Sequence, residues 1–518
     1  MRVLELSTGL IESALKASQL GTPVAVRMIA HLEGGSDPEL LERWAVANAA
    51  RWLNSPPARC ERWVAAGGEH RTTLMACSGG QTSLLSTGSA TAGSELLQVT
   101  VLGTRGMMNY SGPARSWGLL APASPPPREP VRSPLKRPFG VLLVAGHDTH
   151  QPMYAAAFGA DPRCQLIGLT DQTPLRPRRR ARNVQLAEEL GIPYLENFQE
   201  AINRPDVQVV SVCAEPERRG PLIVQTAQAG KHLYLDKPLA GDPQTPSEIV
   251  RQVRRNGVLA HMFSSLTAQP ITRLRDLLRS PELGSLLAVH CDLCFAKGQP
   301  GLAELAGPRH ETSAPQTFET PDAKRELTNI GVYPLTLLTA LLGGQAQNLS
   351  ATTGNYFFTE HQTADMEDFG QISLQWDNGM LATVSAGRTG WHSHPADGLN
   401  RICLIGSKRT VVLDAHQPRA ELWTDRTPWQ PPPRNPDDPM GMWLAPPDSP
   451  YRPLPKQAWF GNPPLDPVAD VAYFLDCLEN GWESEVDVAA AAAANQILLA
   501  AYRSASEARP VALAAINR

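Results

Sequence analysis

The sequence has little excess charge of either sign, few aromatic residues and no long apolar run. Its 518 residues carry a formal net charge of −4, and 6% of them are aromatic. This balance gives no general case for binding nucleic acid or an anionic membrane surface. No stretch approaches the roughly 18 consecutive apolar residues that a membrane-spanning helix requires. We therefore expect neither a nucleic-acid partner nor a membrane partner.

The sequence also lacks an export signal and a disulfide framework. The N-terminus has no charged region followed by an apolar one, and the eight cysteines are scattered along the chain. A reducing compartment and a cytoplasmic location are therefore expected. Cys291 and Cys294 form a CxxC beside His290, but this segment has the pattern of a strand and no second pair completes a tetrahedral site. His147 and His150 are only two ligands on a turn, so no metal site is predicted.

Proline is abundant, with 47 residues, and it clusters in two stretches. The chain is too long for one hydrophobic core. The first cluster predicts an extended linker, and the second predicts a long surface loop inside the last domain. The predicted units are an N-terminal domain (1–120), the linker (121–138), a second domain (139–265) and a C-terminal domain (266–518) with its proline-rich loop (428–464).

Short apolar strands alternate with helical segments from Phe139 to Leu239, which predicts an α/β fold with a Rossmann-type parallel sheet. From about Leu283 the pattern changes to alternating strands. Two of these strands meet at Asn378-Gly379, a strong hairpin signal. The C-terminal domain is therefore predicted to be α+β, with a large, mostly antiparallel sheet covered by helices, and the N-terminal domain is predicted to be an additional α+β unit.

The N-terminal domain contains segments that are similar, in the same order, to segments of the C-terminal domain. The three pairs are 20–27 with 283–290, 50–54 with 339–343, and 99–106 with 402–409. A fixed order of similar segments indicates an internal repeat. Two interpretations stay open: a true duplication of the C-terminal domain, or patterns that any two sheet domains share.

Four separated motifs resemble those of the Gfo/Idh/MocA oxidoreductases. The run 229–239, which contains Asp236-Lys237-Pro238, is similar to the family's "AGKHVxxEKP" stretch, and 205–210 is similar to its "PDVDxV" strand. Gly284 begins the family's usual first strand of the second domain. Residues 329–333 resemble the "DIGxY" segment of the glucose-fructose oxidoreductase and dihydrodiol dehydrogenase branches. The resemblance covers roughly residues 139–515.

This resemblance implies a hydride transfer between NAD or NADP and a hydroxyl-bearing carbon of a sugar-like or cyclic small molecule. It implies that Lys237 positions the substrate hydroxyl and that Tyr333 exchanges a proton with it. Lys237 follows a strand end, where open α/β sheets bind ligands, and its pKa would have to fall for it to act as a base. Asp236 stands where the family has Glu. Asn329 replaces an acid and cannot accept a proton.

The predicted cofactor site is degenerate at its phosphate-binding turn. Of the fingerprint glycines only Gly146 is present, because Asp148 and Gln151 occupy the other two positions. The predicted cofactor-binding residues are Gly146, His147, Asp148, Thr149, Asp171, Glu215 and Lys237. Asp171 closes the second strand, where an acid can bind the adenosine ribose, whereas nearby arginines such as Arg179 can meet a 2′-phosphate.

This degenerate turn leaves a second function open. The chain can be a non-redox descendant of the family, either a binding or scaffold protein or a non-redox enzyme, that has lost ordinary dinucleotide binding. The N-terminal domain has two interpretations as well. In the family the second domain's sheet commonly forms the dimer interface, so residues 1–120 can replace a partner subunit in a pseudo-dimer, or they can dock another protein.

Overall fold

The computed structural model describes four long parts of the chain: residues 20–111, 138–296, 325–414 and 467–514. Short gaps in them comprise 34–37, 66–67, 91–95, 390–397 and single residues, among them Asp148. The pieces 11–12, 15–16, 421–423 and 457–459 are also described, whereas the predicted linker and most of the proline-rich loop lie outside the described residues. All eight cysteines are free. No described helix is long and apolar enough to span a bilayer.

The sheet of the second domain, here called the parallel sheet, has six strands among the described residues. These are β7 (Phe139–Val144), β8 (Cys164–Thr170), β9 (Tyr194–Leu195), β10 (Val209–Val212), β11 (His232–Leu235) and β12 (Ala260–Met262). Their order is β12-β11-β10-β7-β8-β9, and every pairing between them is parallel. The order reverses between β10 and β7, so the carboxyl ends of these strands frame the crevice where such sheets bind ligands.

Helices connect these strands, as the alternating pattern predicts. They are α2 (Gln151–Ala160), α3 (Pro177–Glu189), α4 (Phe198–Ile202), α5 (Pro216–Gln228), α6 (Thr245–Arg255) and α7 (Gln269–Arg279), after a first helix, α1 (Pro38–Leu53), in the N-terminal domain. The strands β7 and β10 are buried along their whole length, because helices cover both faces of a parallel sheet. The predicted Rossmann-type fold is confirmed.

The C-terminal sheet has seven strands. They are β13 (Leu286–Ala296), β14 (Ala346–Gly354), β15 (Phe369–Trp376), β16 (Leu381–Thr389), β17 (Gly398–Gly406), β18 (Thr410–Asp414) and β21 (Val511–Ala512), in the order β18-β17-β13-β16-β15-β14-β21. All neighbours are antiparallel except β13 and β16. β19 (Glu421–Trp423) and β20 (Gln457–Trp459) pair antiparallel as a separate two-stranded sheet.

Helices cover one face of the C-terminal sheet. A π-helical turn (Leu327–Gly331) continues directly into α8 (Val332–Leu341), and the other helices are α9 (Thr359–Thr363), α10 (Pro467–Asn480) and α11 (Val488–Glu507). The predicted alanine-rich last helix is α11, whose side chains are largely buried. The predicted helix from Leu327 is present but starts with the π-turn, which changes the direction of the side chains that follow it.

The N-terminal sheet has six strands. They are β1 (Pro23–Glu33), β2 (Pro57–Val64), β3 (His70–Cys77), β4 (Thr82–Ala90), β5 (Leu96–Gly103) and β6 (Met107–Ser111), in the order β2-β3-β4-β1-β5-β6. β1 is parallel to β4 and antiparallel to β5, just as β13 is parallel to β16 and antiparallel to β17. Read from β6 to β2, the N-terminal order β6-β5-β1-β4-β3-β2 therefore matches the C-terminal order β18-β17-β13-β16-β15-β14 strand for strand.

The two sheets also share local geometry where their first strand begins. A Cβ atom added to Gly103 would lie 2.1 Å from the carbonyl oxygen of Leu20, and one added to Gly406 would lie 2.1 Å from that of Leu283. Glycine is needed at both places because the backbones approach too closely for a side chain.

A hydroxyl closes both turns in the same way. The Thr22 amide donates to Thr104 Oγ1 over 3.1 Å, and the Ser285 amide donates to Ser407 Oγ over 2.9 Å. The amides of Thr104 and Ser407 in turn donate to the carbonyl oxygens of Thr22 and Ser285, respectively. These four residues belong to two of the segment pairs that are similar in sequence, 20–27 with 283–290 and 99–106 with 402–409.

The N-terminal and C-terminal sheets lie face to face. Ile29 and Leu96 of the first share an apolar cluster with Ala288 and Ile405 of the second. A buried ion pair crosses the interface, with Arg27 Nε 3.0 Å from an oxygen of Asp292. The open face of the C-terminal sheet, opposite its helices, is therefore covered by another part of the same chain.

Candidate active site

Lys237 follows β11 directly and turns into the crevice, where its side chain is buried. Its ammonium donates to the backbone oxygen and to the side-chain Oδ1 of Asn329, each over 2.7 Å. The same nitrogen lies 5.0 Å from the centre of the Tyr333 ring, within the range of a cation–π contact. The fold thus brings Lys237 to Asn329 and Tyr333, which lie about ninety residues further along the chain.

Asp236 is clamped from the other side of the same loop. Its carboxylate accepts from Arg219 Nη2 over 3.0 Å and from the Tyr154 hydroxyl over 2.7 Å, and it lies 3.0 Å from His150 Nδ1. Burial would raise the pKa of this carboxyl, but the charges of His150 and Arg219 outweigh it and hold the pKa well below its usual range. Asp236 is therefore an anion that anchors the loop and not a proton carrier.

Arg219 also holds the backbone on which Lys237 sits. Its guanidinium donates to the carbonyl oxygens of Ala214, Asp236 and Pro238, and it is 2% exposed. A planar guanidinium with five donors can serve one carboxylate and several carbonyls at once. Arg219 thus fixes both residues that flank Lys237, and the peptide bond before Pro238 is cis.

A buried acid stands behind Asn329 in the π-turn. Glu326 Oε2 accepts from Asn329 Nδ2 over 3.0 Å and from Arg388 Nε over 3.2 Å, and His361 Nε2 lies 3.4 Å from its other oxygen. A connected chain of polar groups therefore runs from Lys237 through Asn329 to Glu326. Asn329 replaces the expected acid, but an acid lies three residues before it.

Tyr333 is buried at the start of α8. Burial raises the pKa of its hydroxyl above the ordinary value, and the Asp236 charge adds to this. The hydroxyl is therefore protonated at neutral pH and suited to donating a proton or a hydrogen bond to a developing oxyanion. Phe263 lies beside its ring, with the two centres 6.3 Å apart.

The phosphate-binding turn has a strained and crowded backbone. Ala145 adopts a left-handed conformation with φ of 73°. A Cβ atom on Gly146 would lie 2.6 Å from the side-chain oxygen of Asn183 in α3, so this glycine is required by helix packing. His147 Nε2 lies 2.8 Å from Glu189. Asp148 lies outside the described residues.

The start of α2 satisfies its own backbone donors. The Gln151 amide donates to Thr149 Oγ1 over 3.2 Å, Pro152 has no N–H, and the amides of Met153 and Tyr154 donate to the His150 carbonyl oxygen. The Gln151 side chain is fully buried and accepts from Ser211. Free N–H groups at a helix start are the groups that bind phosphate in such folds. Here these amides are already hydrogen-bonded within the protein, so a dinucleotide phosphate can bind them only by replacing those bonds.

The predicted ribose site is occupied by an ion-pair network. Asp171 has no exposed surface and accepts from Asn183 Nδ2 over 2.8 Å and from Arg218. Glu215 accepts from Arg218 over 2.9 Å and lies 2.6 Å from Arg179. The fold thus brings Asp171 and Glu215 into one network near the strand ends, where each acid is balanced by arginine; their role in cofactor binding stays a prediction.

Lys237, Asn329 and Tyr333 line the crevice at the carboxyl ends of the strands, where polar groups can face a nicotinamide and a substrate oxygen. The acids Asp171 and Glu215 are already paired with arginine, so a ribose hydroxyl must exchange with these bonds. Sequence reasoning missed Arg219, because an arginine in a helix has no motif of its own. It also missed Glu326, although an acid close to the degenerate "DIGxY" segment was a usable signal.

A doubly wound parallel sheet with polar side chains at the carboxyl ends of its strands is the class of fold that binds dinucleotides in its crevice. Residues 142–264 match the Gfo/Idh/MocA oxidoreductase family, NAD-binding Rossmann fold, and residues 271–412 match the Gfo/Idh/MocA C-terminal domain. The chain belongs to this family. The predicted family, fold class, cofactor class and reaction class, an NAD(P)-dependent oxidoreductase, are confirmed.

Individual relatives are distant. The chain is 24% identical over 266 residues to the dTDP-3,4-didehydro-2,6-dideoxy-alpha-D-glucose 3-reductase of Streptomyces violaceoruber, covering 51% of this chain and 69% of that protein. It is 20% identical to the trans-1,2-dihydrobenzene-1,2-diol dehydrogenase of Sus scrofa, covering 48% and 66%. The structure of GenD2 from gentamicin A biosynthesis in complex with NAD aligns with a TM-score of 0.53 and 20% identity, covering 76% of this chain and all of that one.

Proposed function

We propose that Lys237 and Tyr333 carry the chemistry of an oxidoreductase that converts a hydroxyl-bearing carbon of a sugar-like or cyclic small molecule. The observation that supports this most directly is the placement of the Lys237 ammonium 5.0 Å from the Tyr333 ring, with both residues buried at the crevice. The two curated relatives described above are a deoxysugar-nucleotide reductase and a cyclic diol dehydrogenase. Both names point to hydroxylated rings.

The nicotinamide, when bound, supplies or accepts the hydride. The protein's own residues handle the substrate oxygen. Lys237 donates a hydrogen bond to it and stabilises negative charge, and the protonated Tyr333 hydroxyl delivers the proton that converts an alkoxide to an alcohol. Asn329 holds the ammonium over 2.7 Å, and Glu326 orients the Asn329 amide. Asp236 and Arg219 position the loop and take no part in proton transfer.

Gly146, His147, Asp148 and Thr149 are proposed to meet the phosphates through their backbone. Asp171 and Glu215 are proposed to lie at the adenosine ribose. The pairing of both acids with arginine leaves NAD and NADP as candidate cofactors, because an arginine released from its acid can donate hydrogen bonds to a 2′-phosphate.

Nucleotide titration of the purified full-length protein tests this function. NAD(H) or NADP(H) is expected to bind, and Lys237→Ala is expected to abolish turnover while nucleotide affinity changes little. Tyr333→Phe is expected to lower kcat by about a hundredfold, the usual contribution of one proton-transfer group. No nucleotide in titrations or in the protein as purified would overturn the proposal in favour of the non-redox descendant.

Lys231→Ala is the matched control for Lys237→Ala. Lys231 stands just before β11, at the other end of the same strand, and its ammonium donates to the carbonyl oxygens of Arg204 and Val207. Its loss is expected to leave turnover unchanged. Equal activity in the two variants would exclude Lys237 as the catalytic group.

The N-terminal domain, residues 1–120, is proposed to be a duplicate of the C-terminal sheet domain that replaces a partner subunit. The shared strand order, the two equivalent glycine contacts and the face-to-face packing support this pseudo-dimer. Deleting 1–120 is expected to expose an apolar sheet face and cause aggregation or dimerisation. A stable monomer after deletion would contradict the pseudo-dimer, and specific capture of another protein by this domain would favour the docking interpretation.

A further inference from the structure

Three histidines from both faces of the sheet interface converge on one point. His31 lies in β1, His70 in β3 and His290 in β13, and each is at most 2% exposed. One ring nitrogen from each lies within 4.8 Å of the others. The His31 and His70 rings are stacked with centres 4.6 Å apart, and the His70 and His290 ring centres are 5.5 Å apart.

Hydrogen bonding does not account for this cluster. Both ring nitrogens of His31 and Nδ1 of His70 are buried without a hydrogen bond of good geometry, although the Ser89 backbone lies close enough to the His31 ring to interact with it; at most three of the six ring nitrogens are therefore unsatisfied. A buried polar atom without a partner costs free energy. A bound cation would use lone pairs that the protein leaves unused.

Both ring nitrogens of His290 have a hydroxyl partner. Its Nδ1 is 2.7 Å from Thr383 Oγ1, and its Nε2 is 2.8 Å from Ser86 Oγ on the side of the other rings. Thr383 can hold the ring in place through Nδ1, whereas a metal at Nε2 would have to displace the bond to Ser86. Ser86 Oγ also lies 3.2 Å from His70 Nε2, so an oxygen is already present beside two of the three rings.

Ligation requires the rings to move. A tetrahedral zinc ion with Zn–N bonds near 2.1 Å separates its ligand atoms by about 3.4 Å, whereas the ring nitrogens lie within 4.8 Å of one another and the His31 and His70 rings are stacked. The nitrogens must therefore draw together, and the stacked rings must turn so that their lone pairs converge. Gly88 lets both rings lie against its backbone, because a Cβ atom there would be 2.8 Å from His31 Cε1 and 3.0 Å from His70 Nδ1.

The nearby charges are balanced in part. Arg27 donates to Thr383 Oγ1, the hydroxyl that also contacts His290 Nδ1, and Arg27 and Arg401 both bind the carboxylate of Asp292. Imidazoles with no anionic ligand favour zinc, copper, nickel or iron over magnesium or calcium.

We propose that His31, His70 and His290 form a three-histidine site for a divalent transition metal of the zinc class, which joins the N-terminal sheet to the C-terminal sheet. The ligands come from both domains, so binding requires their docked arrangement. The site is independent of the crevice around Lys237, and its role is structural.

Metal titration of the full-length protein tests the proposal. The protein is stripped with a chelator and titrated with cobalt(II), whose visible bands report coordination by nitrogen. One equivalent is expected to bind, zinc is expected to displace it, and the metal is expected to raise Tm. His31→Gln and His70→Gln are each expected to lower cobalt affinity at least a hundredfold, whereas His232→Gln, in the parallel sheet, retains it.

Two results would overturn the metal site. The first is no stoichiometric cobalt binding by the wild-type protein, which would identify the histidines as a buried polar stack. The second is binding that survives in both cluster variants. Should these variants fail to fold, X-ray absorption on the wild-type cobalt protein decides, because fewer than two imidazoles around the metal contradicts the proposal. Nucleotide binding is expected to be unchanged in every folded variant.

Discussion

The ammonium of Lys237 and the side-chain oxygen of Asn329 lie 2.7 Å apart across the crevice. One residue ends a strand of the parallel sheet, and the other belongs to the π-turn before α8. The amide holds the lysine through a neutral oxygen, so it orients the ammonium without adding negative charge to it. This hydrogen bond links the Rossmann-type domain to the C-terminal domain inside the crevice.

Replacing Asn329 with Leu is expected to release the Lys237 ammonium and lower kcat. The expected loss is about ten- to a hundredfold, because misplacing a catalytic group by even 1 Å costs up to about a hundredfold. Steady-state kinetics and nucleotide titration measure it, and nucleotide affinity should stay nearly constant. Asn348→Ala, on β14 away from the crevice, is the control. An Asn329→Leu enzyme with wild-type kcat would remove Asn329 from the proposed site.

Replacing Arg219 with Met is expected to destabilise the protein by about 3–5 kcal/mol at pH 7, since it removes one charged partner of a buried carboxylate. The folded-state pKa of Asp236 is held below its usual range, so the pair stabilises the fold above the ordinary carboxyl pKa and loses that effect as pH falls below it. In the variant the pKa of Asp236 is less depressed, because His150 and Lys237 alone oppose burial. The difference from wild type should therefore be full at pH 7 and shrink as pH falls below about 4.

Chemical denaturation at several pH values measures this difference. Arg180→Met is the control, because Arg180 pairs with Glu196 on the exposed surface, where solvent screening makes an ion pair contribute little to stability. A loss in Arg219→Met that does not change with pH would mean that Asp236 is not the group left uncompensated.

Asp171→Asn is expected to shift nucleotide preference towards NADPH. The substitution removes the charge that balances Arg218 and Arg179, which leaves more positive potential at the ribose end. The ratio of NADH to NADPH dissociation constants should change by about tenfold, or ~1.4 kcal/mol. Fluorescence titration with both nucleotides checks it, with Glu196→Gln as the control. An unchanged ratio would place the 2′-position away from this network.

Alanine at Gly103 or at Gly406 is expected to destabilise the protein by similar amounts, about 1–3 kcal/mol each. In both variants the new Cβ atom meets a carbonyl oxygen at 2.1 Å. Gly159→Ala is the control, because its Cβ atom would have its nearest neighbour at 3.8 Å and alanine favours a helix by about 0.5–1 kcal/mol. Thermal unfolding measures all three. A neutral Gly103→Ala would weaken the equivalence of the two sheets.

Local patterns in the sequence determined the elements and part of the site. Alternating strands and helices from Phe139 predict the parallel sheet, and Asp236-Lys237-Pro238 marks a strand end because it directly follows an apolar run. Residues 329–333 are predicted at a helix start, which is where Tyr333 lies. Each of these depends on neighbours within a few residues, so periodicity and short motifs are sufficient.

Only the tertiary structure decided which groups meet across long separations. Arg219 reaches the loop of Lys237 from another helix, and Asp171 is balanced by arginines instead of facing solvent. Similar segments in a fixed order favour a repeat of the last domain in the first, and the pseudo-dimer hypothesis follows from it, but the sequence does not specify which side chains meet between the two sheets. The histidine cluster of His31, His70 and His290 arises only from that packing, because ligand geometry depends on distances that no single segment contains.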